Sequence, residues 1–439
     1  SMSQIKIPQR RNLQVSNSFQ ICFFEDHIST TISPYQLTRP AYTIPTGSLT
    51  IIEKMQLVFP NMPISLLASK HYEPFLKLRY PKVPINSLNK SLPTLYINGR
   101  CNLNYQHINE LIKTLNTEKN YLFINIQDVI GVFADVDHNE SVYNLLSKQP
   151  TFNEIVEEIR QKCTVEDKKF VTINQHWSDY LNNLHQSITK DFNDFAKKSF
   201  VEGDLSSFTV LHNDNNMAID RTVKIKEYTS IDASKGPVQI SENVVIEPFS
   251  HIVGPCFIGA NSIIQPNSTI KGSYIGRHCK VGGEVSNSII QNYSNKSHYG
   301  FLGDSIVGEW CNLGAGTTTS NLKLSYGKIS SPTPPNNHPY VTERQFLGAI
   351  FGDYVKTGIQ SSFNCGAIIS SASSLYGTDV HEKYIPPFTW GKPNNYHHQD
   401  LNAFLTATER MMKRRDQALT DDQKMIFKNL HDATLVPTS

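Results

Sequence analysis

The sequence predicts a three-sided parallel β-coil that is preceded by an α/β domain and followed by a short helical segment. Three observations predict it. The first is an isoleucine at every sixth position: Ile240, Ile246, Ile252, Ile258, Ile264 and Ile270. The second is a small or β-branched residue four positions after each of them, with tyrosine only at the end: Val244, Ser250, Cys256, Ser262, Ser268 and Tyr274. The third is the alternation of strand-like and helix-like runs before residue 210. A period of six matches neither a lone strand nor a helix, so it indicates a short repeating unit.

The repeat predicts a coil domain over residues 220–392. It continues through Ile275 and Val281 with one five-residue step, and aliphatic or aromatic residues resume it further on: Val307, Leu313, Phe351, Thr357, Phe363, Ile369 and Leu375. Residues 317–345 interrupt it with several prolines and asparagines. Long excursions of this kind are usually functional or mobile.

The segments on either side are predicted from shorter patterns. In the α/β domain, over residues 13–210, the strand-like runs are 19–24, 95–98 and 122–125, and the helix-like runs are 48–59, 107–115, 151–163 and 176–198. Residues 393–439 form the C-terminal helical segment. It holds an amphipathic stretch at 403–415 and a second helix opened by Thr420, with Gln423 at the capping-box position.

Composition excludes several function classes. The formal net charge of +2 gives no electrostatic reason for nucleic-acid or membrane binding. No apolar run approaches the roughly 18 residues of a membrane span, and the basic N-terminus lacks the apolar region of a secretory signal. The seven cysteines are scattered without metal-ligand spacing. They are expected to be free thiols of a cytoplasmic protein, and no metal site is predicted.

The densest polar cluster of the coil surrounds His298 and is followed by the glycine-flanked turn 314–317. Acyl transfer to an amine or hydroxyl needs a base that removes the acceptor's proton, and histidine titrates near neutrality. Backbone N–H groups of Ala315 or Gly316 are candidates to stabilise the tetrahedral oxyanion. Glycines allow the main chain to approach a ligand closely.

Residues 285–298 and 312–317 resemble the left-handed β-helix acetyltransferases. Among these enzymes, the sequence resembles the family of the bifunctional UDP-N-acetylglucosamine pyrophosphorylase/glucosamine-1-phosphate acetyltransferase. A sugar nucleotidyltransferase-like branch matches better still, at 37–40, 47–54, 97–100, 282–285, 352–358 and 386–391. The resemblance implies a Rossmann-like, nucleotidyltransferase-like first domain and a left-handed β-helix. It places the catalytic base on His298 and acceptor contacts on Asn312 and Asn321.

The coil departs from that family where the acceptor binds. The family's acceptor-binding lysine falls on Ser286, and two of its tyrosines fall on Phe301 and Leu322. The acceptor therefore differs from glucosamine 1-phosphate in this interpretation. Three nearby cations are candidates to replace the lost contacts: Arg277, Lys280 and Lys296.

The resemblance also implies a homotrimer that binds acetyl-CoA, or another acyl-CoA, in clefts between neighbouring coils. Flat apolar sheet faces that seek partners are consistent with such an assembly. Four residues are expected along the donor cleft: Lys356, Gly358, Gly366 and Ala367.

The first domain departs further from the family. Sugar-1-phosphate nucleotidyltransferases carry a glycine-rich phosphate loop after the first strand, whereas residues 25–31 here contain no glycine. Arg39 and Lys54 are the candidate nucleotide-binding residues. The alternative interpretation is that each is an ordinary surface cation. Mg²⁺ is expected only if this domain is catalytically active.

The leading hypothesis is an acyl-CoA-dependent transferase acting on a sugar phosphate or a nucleotide sugar. One alternative is a sugar-1-phosphate nucleotidyltransferase whose coil is a trimerisation scaffold. The other is a sugar-nucleotide binding protein in which neither site is catalytic. The missing glycine-rich loop favours the acyltransferase over the nucleotidyltransferase. The substitutions at Ser286, Phe301 and Leu322 keep the non-catalytic binding protein open.

Overall fold

The computed structural model describes residues 19–32, 34–113, 115–196, 200–334 and 339–435. The predicted start of the first domain at residue 13, and the N-terminal segment interpreted above, lie outside these ranges. The described chain divides into two compact units. The first comprises residues 19–32, 38–179 and 193–195, and the second comprises 34–37, 180–192, 196 and 200 onwards.

A six-stranded mixed sheet forms the centre of the first unit. Its strands, in spatial order, are Ile64–Leu66, Gln20–Phe24, Thr94–Asn98, Asp128–Ala134, Tyr121–Asn125 and Thr164–Asp167. Only Asp128–Ala134 runs antiparallel to both of its neighbours. A two-stranded ladder joins Cys101–Asn102 to Thr172–Ile173. The three strands predicted here are confirmed, and their apolar residues other than Ile124 are buried.

Within the described residues, the α-helices before the coil are α1 Ile51–Val58, α2 Glu73–Arg79, α3 Tyr105–Ile112, α4 Val136–Leu146, α5 Phe152–Ile159, α6 Asp179–Asn182 and α7 Leu184–Phe195. Short 3₁₀ turns lie at Ile28–Thr31, Tyr35–Leu37, Ala41–Thr43, Lys70–Tyr72, Arg160–Lys162 and Asp214–Asn216. The predicted helix over 176–198 is two helices separated at Asn183. Capping boxes at Thr50 and Thr151 fix the starts of α1 and α5.

Three parallel sheets form the solenoid that follows. The first face has the strands Phe200–Val201, Met217–Ile219, Val238–Ile240, Cys256–Ile258, Tyr274–Ile275, Ile289–Ile290, Ile306–Val307, Ile350–Phe351, Ile368–Ile369 and Tyr384–Ile385. The second has Asp204–Leu205, Lys224–Ile225, Val245–Ile246, Ile263–Ile264, Lys280–Val281, Asn295–Lys296, Asn312–Leu313, Lys356–Thr357, Ser374–Leu375, Thr389–Lys392 and the antiparallel Asn395–His398. The third has Val210–His212, Ser230–Asp232, His251–Val253, Thr269–Lys271, Glu284–Ser286 and Phe301–Gly303, and then a separate ladder of Thr318–Thr319, Ser362–Phe363 and Val380–His381.

The predicted period is explained by these three faces. The six isoleucines occupy successive faces in turn and are all buried in one continuous core. Ile240, for example, pairs with Ile258, which pairs with Ile275 one turn later. Since each side chain faces the coil axis, the stack excludes water along the whole solenoid, and the small residues fill the inside corners.

The excursion and the C-terminal segment complete the second unit. Within the excursion, the short strands Ser330–Ser331 and Tyr340–Val341 pair antiparallel. The C-terminal helices are α8 Leu401–Lys413 and α9 Asp421–Thr434, and the predicted capping box at Thr420 is confirmed. None of the helices in the described ranges combines the length and apolarity needed to span a bilayer.

Candidate functional site

His298 lies in the turn between the second and third faces, directly after the strand Asn295–Lys296. Its side chain is exposed. Gly283 lies one turn earlier in the solenoid, where a Cβ atom would come within 3.0 Å of the His298 carbonyl oxygen. This glycine has a φ of +74°, so the close stacking of the two turns favours glycine at this place. The imidazole is thus carried by a rigid wall and faces solvent.

The turn one coil later holds the two predicted oxyanion donors. The amide of Gly316 donates to the carbonyl oxygen of Tyr299 at 2.9 Å, so this N–H is already used to stack the two turns. For Ala315, the carbonyl oxygen accepts from the Gln360 amide at 2.7 Å. The Gly316 amide is therefore not available without a rearrangement, and the oxyanion prediction narrows to the amide of Ala315.

Lys296 was predicted to contact the acceptor, but its side chain lies inside the solenoid. It pairs with Val281 in the stack of inward residues and is 2 % exposed. Its ammonium donates to the carbonyl oxygens of Gly282 and His298, at 2.8 and 2.9 Å. Burial lowers its pKa to about 8. A buried ammonium that is engaged by two carbonyls does not reach a solvent-borne acceptor, and this is a correction to the prediction.

A polar column runs along the outer side of the second face beside the His298 turn. Strand register places Lys280, Asn295, Asn312 and Lys356 on successive strands, which are spaced by roughly 4.8 Å. Asn312 is exposed, with its Oδ1 3.5 Å from Nδ2 of Asn295. The prediction that Asn312 contacts the acceptor stays a prediction, and its exposure on the column is compatible with it.

Arg415 adds a third cation to this column. It follows α8 directly, and its Nη2 donates to Oδ1 of Asn295 at 2.8 Å. Partial burial lowers the pKa of His278, and the positive charges of Arg277 and Arg415 lower it further. Both positive charges therefore act on His278, which lies in the turn that precedes the strand Lys280–Val281. The sequence gives no signal for this contact, because nothing local connects Arg415 to a residue 120 positions away.

Asn321 lies where the excursion leaves the coil. Its Nδ2 donates to Oδ2 of Asp304 at 2.9 Å. Arg344, from the far end of the excursion, donates to Oδ1 of the same carboxylate at 2.9 Å and to Oδ1 of Asn182 at 2.7 Å. Asp304 thereby joins the two ends of the excursion. The role predicted for Asn321 at the acceptor stays a prediction, and its hydrogen bond to Asp304 gives it a structural role as well.

Lys356 lies under α8. Its Nζ is 5.2 Å from the centre of the Phe404 ring, and this atom is buried without a hydrogen-bond partner among the described residues. Burial lowers its pKa to about 8. Because α8 covers this end of the column, the predicted donor-binding role of Lys356 would require the helix to move.

Replacing Lys356 by methionine is expected to raise the free energy of unfolding at pH 7 by about 1–3 kcal/mol. The pKa is near 8 in the folded chain and near 10.5 in the unfolded chain, so a charge is desolvated at pH 7. The unfolded state binds more protons between these values, so the wild type gains stability as the pH rises from 8 to 10.5 and the advantage of methionine shrinks. Urea unfolding at several pH values measures this. Lys413→Met, at an exposed position of α8, is the control, and a destabilised Lys356→Met variant would contradict the assignment.

The other residues predicted for the donor cleft support the solenoid. Ala367 is fully buried in the core. Gly366 has a φ of +72° and packs against Ser330 of the excursion. Gly358 packs against Tyr376, and its amide donates to the Leu375 carbonyl at 2.7 Å. Their contribution to donor binding stays a prediction, and only main-chain atoms of these residues could make it.

The first unit holds a buried ionic network at one end of its central sheet. Arg100, 1 % exposed, donates from Nε and Nη2 to the two carboxylate oxygens of Asp26 at 2.9 and 2.6 Å. Nη2 also donates to Asp128 at 2.8 Å, and Nη1 donates to the Asn174 carbonyl at 2.8 Å. Burial alone would raise the pKa of Asp26, but the charge and hydrogen bonds of Arg100 outweigh it and hold the pKa below its usual value.

This network does not fit Mg²⁺. Carboxylate oxygens are the ligands that the ion prefers, but Arg100 already neutralises both Asp26 and Asp128. Across the described ranges, no three His, Cys, Asp or Glu side chains converge on a potential metal position. In place of a glycine-rich loop, 3₁₀ turns follow the first strand.

The predicted nucleotide ligands of this unit are both buried. Lys54 donates to the carbonyl oxygens of Thr46 and Leu103 at 2.7 and 3.1 Å, and it is fully enclosed. Arg39 is 5 % exposed. The interpretation of either as a surface cation is wrong, and their nucleotide-binding role stays a prediction without an accessible side chain to support it.

Two family models match separate parts of the chain. Residues 21–199 match the sugar nucleotidyl transferase family, and residues 237–272 match the bacterial transferase hexapeptide family, with six repeats. The matches therefore indicate a domain similar to sugar nucleotidyl transferases that precedes a solenoid with hexapeptide repeats, which is the domain order that the sequence predicted.

Particular relatives carry the name bifunctional protein GlmU. The protein of Methanococcus aeolicus is 28 % identical over 240 residues, which is 52 % of this chain and 51 % of that protein. The protein of Methanococcus maripaludis is 38 % identical over 165 residues, 36 % and 37 % of the two chains. That of Synechococcus elongatus is 30 % identical over 200 residues, 37 % and 40 %. The chain thus spans about half or less of the length of these relatives.

The likeness to solved structures is weak. The UDP-N-acetylglucosamine acyltransferase of Campylobacter jejuni is 12 % identical with a TM-score of 0.32, over 51 % of this chain and 94 % of that one. A mutant of AntD, an N-acyltransferase from Bacillus cereus, in complex with dTDP and coenzyme A, is 19 % identical with a TM-score of 0.22, over 47 % and 92 %.

Proposed function

We propose that the chain is an acyl-CoA-dependent transferase that acylates a sugar phosphate or nucleotide sugar on the solenoid. The observation that carries the proposal is the exposed His298 on a rigid turn, next to the exposed Asn312 and the cations beside it. In this reaction His298 accepts the proton of the acceptor's amine or hydroxyl as its N or O atom attacks the thioester carbonyl. The C–S bond then breaks, the new C–N or C–O bond remains, and the thiolate of CoA takes up the proton.

The acceptor in this proposal carries phosphate. Lys280 lies on the column beside the His298 turn, Arg415 donates to Asn295 of the same column, and Arg277 adds positive charge at the neighbouring His278. Guanidinium groups recognise phosphate oxygens in a bidentate manner. This set replaces the cationic contact that the family places at the position of Ser286. Lys296 is excluded from it by burial.

Three further features belong to the same proposal. The Ala315 amide is the candidate oxyanion donor, worth about 3–4 kcal/mol in the barrier if it acts as such donors do elsewhere. The acyl donor binds between neighbouring solenoids of a homotrimer, and the protein works in the cytoplasm. Sedimentation with and without CoA tests the trimer directly.

Mass spectrometry of the products tests the proposal. The purified chain is incubated with acetyl-CoA and matched acceptors: an amino sugar, its 1-phosphate, and UDP- and dTDP-linked amino sugars. A mass gain of one acetyl group on a phosphorylated acceptor, with little on the unphosphorylated sugar, is the expected result. Unchanged acceptors across the panel, with longer acyl-CoA donors included, would reject acyl transfer.

A nucleotidyltransferase is the second candidate, supported by the family match over residues 21–199. The carboxylates bound to Arg100 and the missing glycine-rich loop weigh against it. Pyrophosphate release from UTP or dTTP with a hexose 1-phosphate, in the presence of Mg²⁺, decides between the two. Absence of release with every pair would leave the first domain as a binding or structural domain.

A further inference from the structure

Lys296 interrupts the aliphatic stack of the solenoid at the turn that carries His298. Its strand partner toward the N-terminus is Val281, and the same stack continues from Ile264, so an aliphatic residue would suit the position. Placing an ammonium there requires desolvation, which costs free energy unless the charge is satisfied. Lys296 therefore lowers stability at a position where an aliphatic side chain would fit. A residue of this kind usually serves function and not stability.

The hydrogen bonds of Lys296 show what the ammonium holds. Nζ donates at 2.8 Å to the carbonyl of Gly282, one coil earlier, and at 2.9 Å to the carbonyl of His298 itself. A Cβ atom on Gly283 would lie 3.1 Å from this Nζ, so the glycine leaves room for the ammonium beneath the turn. From the following coil, the amide of Gly316 donates to the carbonyl oxygen of Tyr299 and fixes the same turn. The main chain at 298–299 is therefore held from both neighbouring coils.

We propose that Lys296 is a positioning residue: its buried ammonium binds the main chain of His298 to the preceding coil and so sets the direction of the exposed imidazole. This rests on the proposed function, because the imidazole is the base of that reaction. Lys296 does not touch the acceptor. The effect is on orientation, and misplacement of a reacting group by about 1 Å can cost on the order of 100-fold in rate.

The test compares Lys296→Met, Lys296→Gln and Lys224→Met in the full chain. Methionine keeps the volume and removes the donors, glutamine keeps an amide donor, and Lys224 is an exposed lysine of the same face far from the turn. We expect kcat to fall at least about tenfold in Lys296→Met with KM for both substrates unchanged, a smaller fall in Lys296→Gln, and no change in Lys224→Met. In a His298→Gln background, Lys296→Met should add no further loss, because the two residues act as one unit.

Hydrogen exchange gives a readout that does not depend on activity. Amides in 297–303 should exchange at least about tenfold faster in Lys296→Met, while the rest of the solenoid is unchanged. Unaltered exchange of amides 297–303 in Lys296→Met would overturn the positioning role. A wild-type kcat in Lys296→Met would overturn it too, as would a double variant whose loss of kcat equals the product of the two single losses. If the wild type transfers no acyl group but the exchange result holds, the proposed function fails and the structural part of this inference stands.

Discussion

Replacing His298 by glutamine is expected to lower kcat for acyl transfer by about 10²–10⁴-fold, the usual contribution of a positioned general base. The side chain is exposed, and within the described ranges its ring makes no hydrogen bond. The substitution therefore removes the base without removing a structural contact. We expect the free energy of unfolding to change by less than about 0.5 kcal/mol, as for most surface substitutions.

Steady-state kinetics with the acceptor identified by mass spectrometry measures the effect. His251→Gln is the matched control, since His251 is a partly exposed residue of the third face in a different coil, and it should retain wild-type kcat. If His298→Gln also kept full turnover, another group would have to remove the acceptor's proton. If both variants lost activity to the same degree, the loss would reflect the solenoid and not the base.

Replacing Arg100 by methionine is expected to lower the free energy of unfolding of the first unit by about 3–5 kcal/mol. Removing one partner of a buried pair leaves the other charge uncompensated, and here two carboxylates, Asp26 and Asp128, lose the same cation. The carbonyl of Asn174 loses its donor as well. A loss of this size approaches the whole stability of many domains.

Hydrogen exchange of the strands Gln20–Phe24 and Thr94–Asn98 in the full chain measures the stability of this unit separately from the solenoid. Lys77→Met removes an exposed pair with Glu73 and should cost less than about 1 kcal/mol. In the wild type the pKa of Asp26 is lowered on folding, so its contribution is present above its unfolded pKa, about 4, and is lost as the pH falls below it. Equal exchange in Arg100→Met and wild type would show that the network contributes little.

The solenoid was predictable because its signal is periodic. Each isoleucine of the six-residue repeat meets the same environment, so a single sequence shows the pattern many times over. The excursion was predictable as an interruption, although its fold was not, since the Asp304–Arg344 contact joins residues 40 positions apart. In the first unit, three strands followed from apolar runs, whereas the longest strand, Asp128–Ala134, was missed because Gly131 breaks its apolar pattern.

The position of His298 was predictable from the sequence, whereas the directions of the surrounding lysine side chains were not. A histidine in a polar, glycine-rich segment identified His298, and the structure places it exposed on the turn. The direction of a lysine side chain carries no such local signal. Lys280 faces outward while Lys296 faces inward, because Lys296 pairs with the inward Val281 and Lys280 pairs with Asn295 of the outer column.

By itself, the sequence determined the order of the domains, the repeating unit and the residue that best fits a base, because these depend on local pattern and residue chemistry. Only the tertiary structure decided which cations are accessible. It enclosed Lys54, Arg100, Lys296 and Lys356, and it brought Arg415 to the column beside His298. The physical reason is that burial and ion pairing depend on neighbours distant in the chain, and the charge of a side chain has a different role in water than among carbonyls or carboxylates.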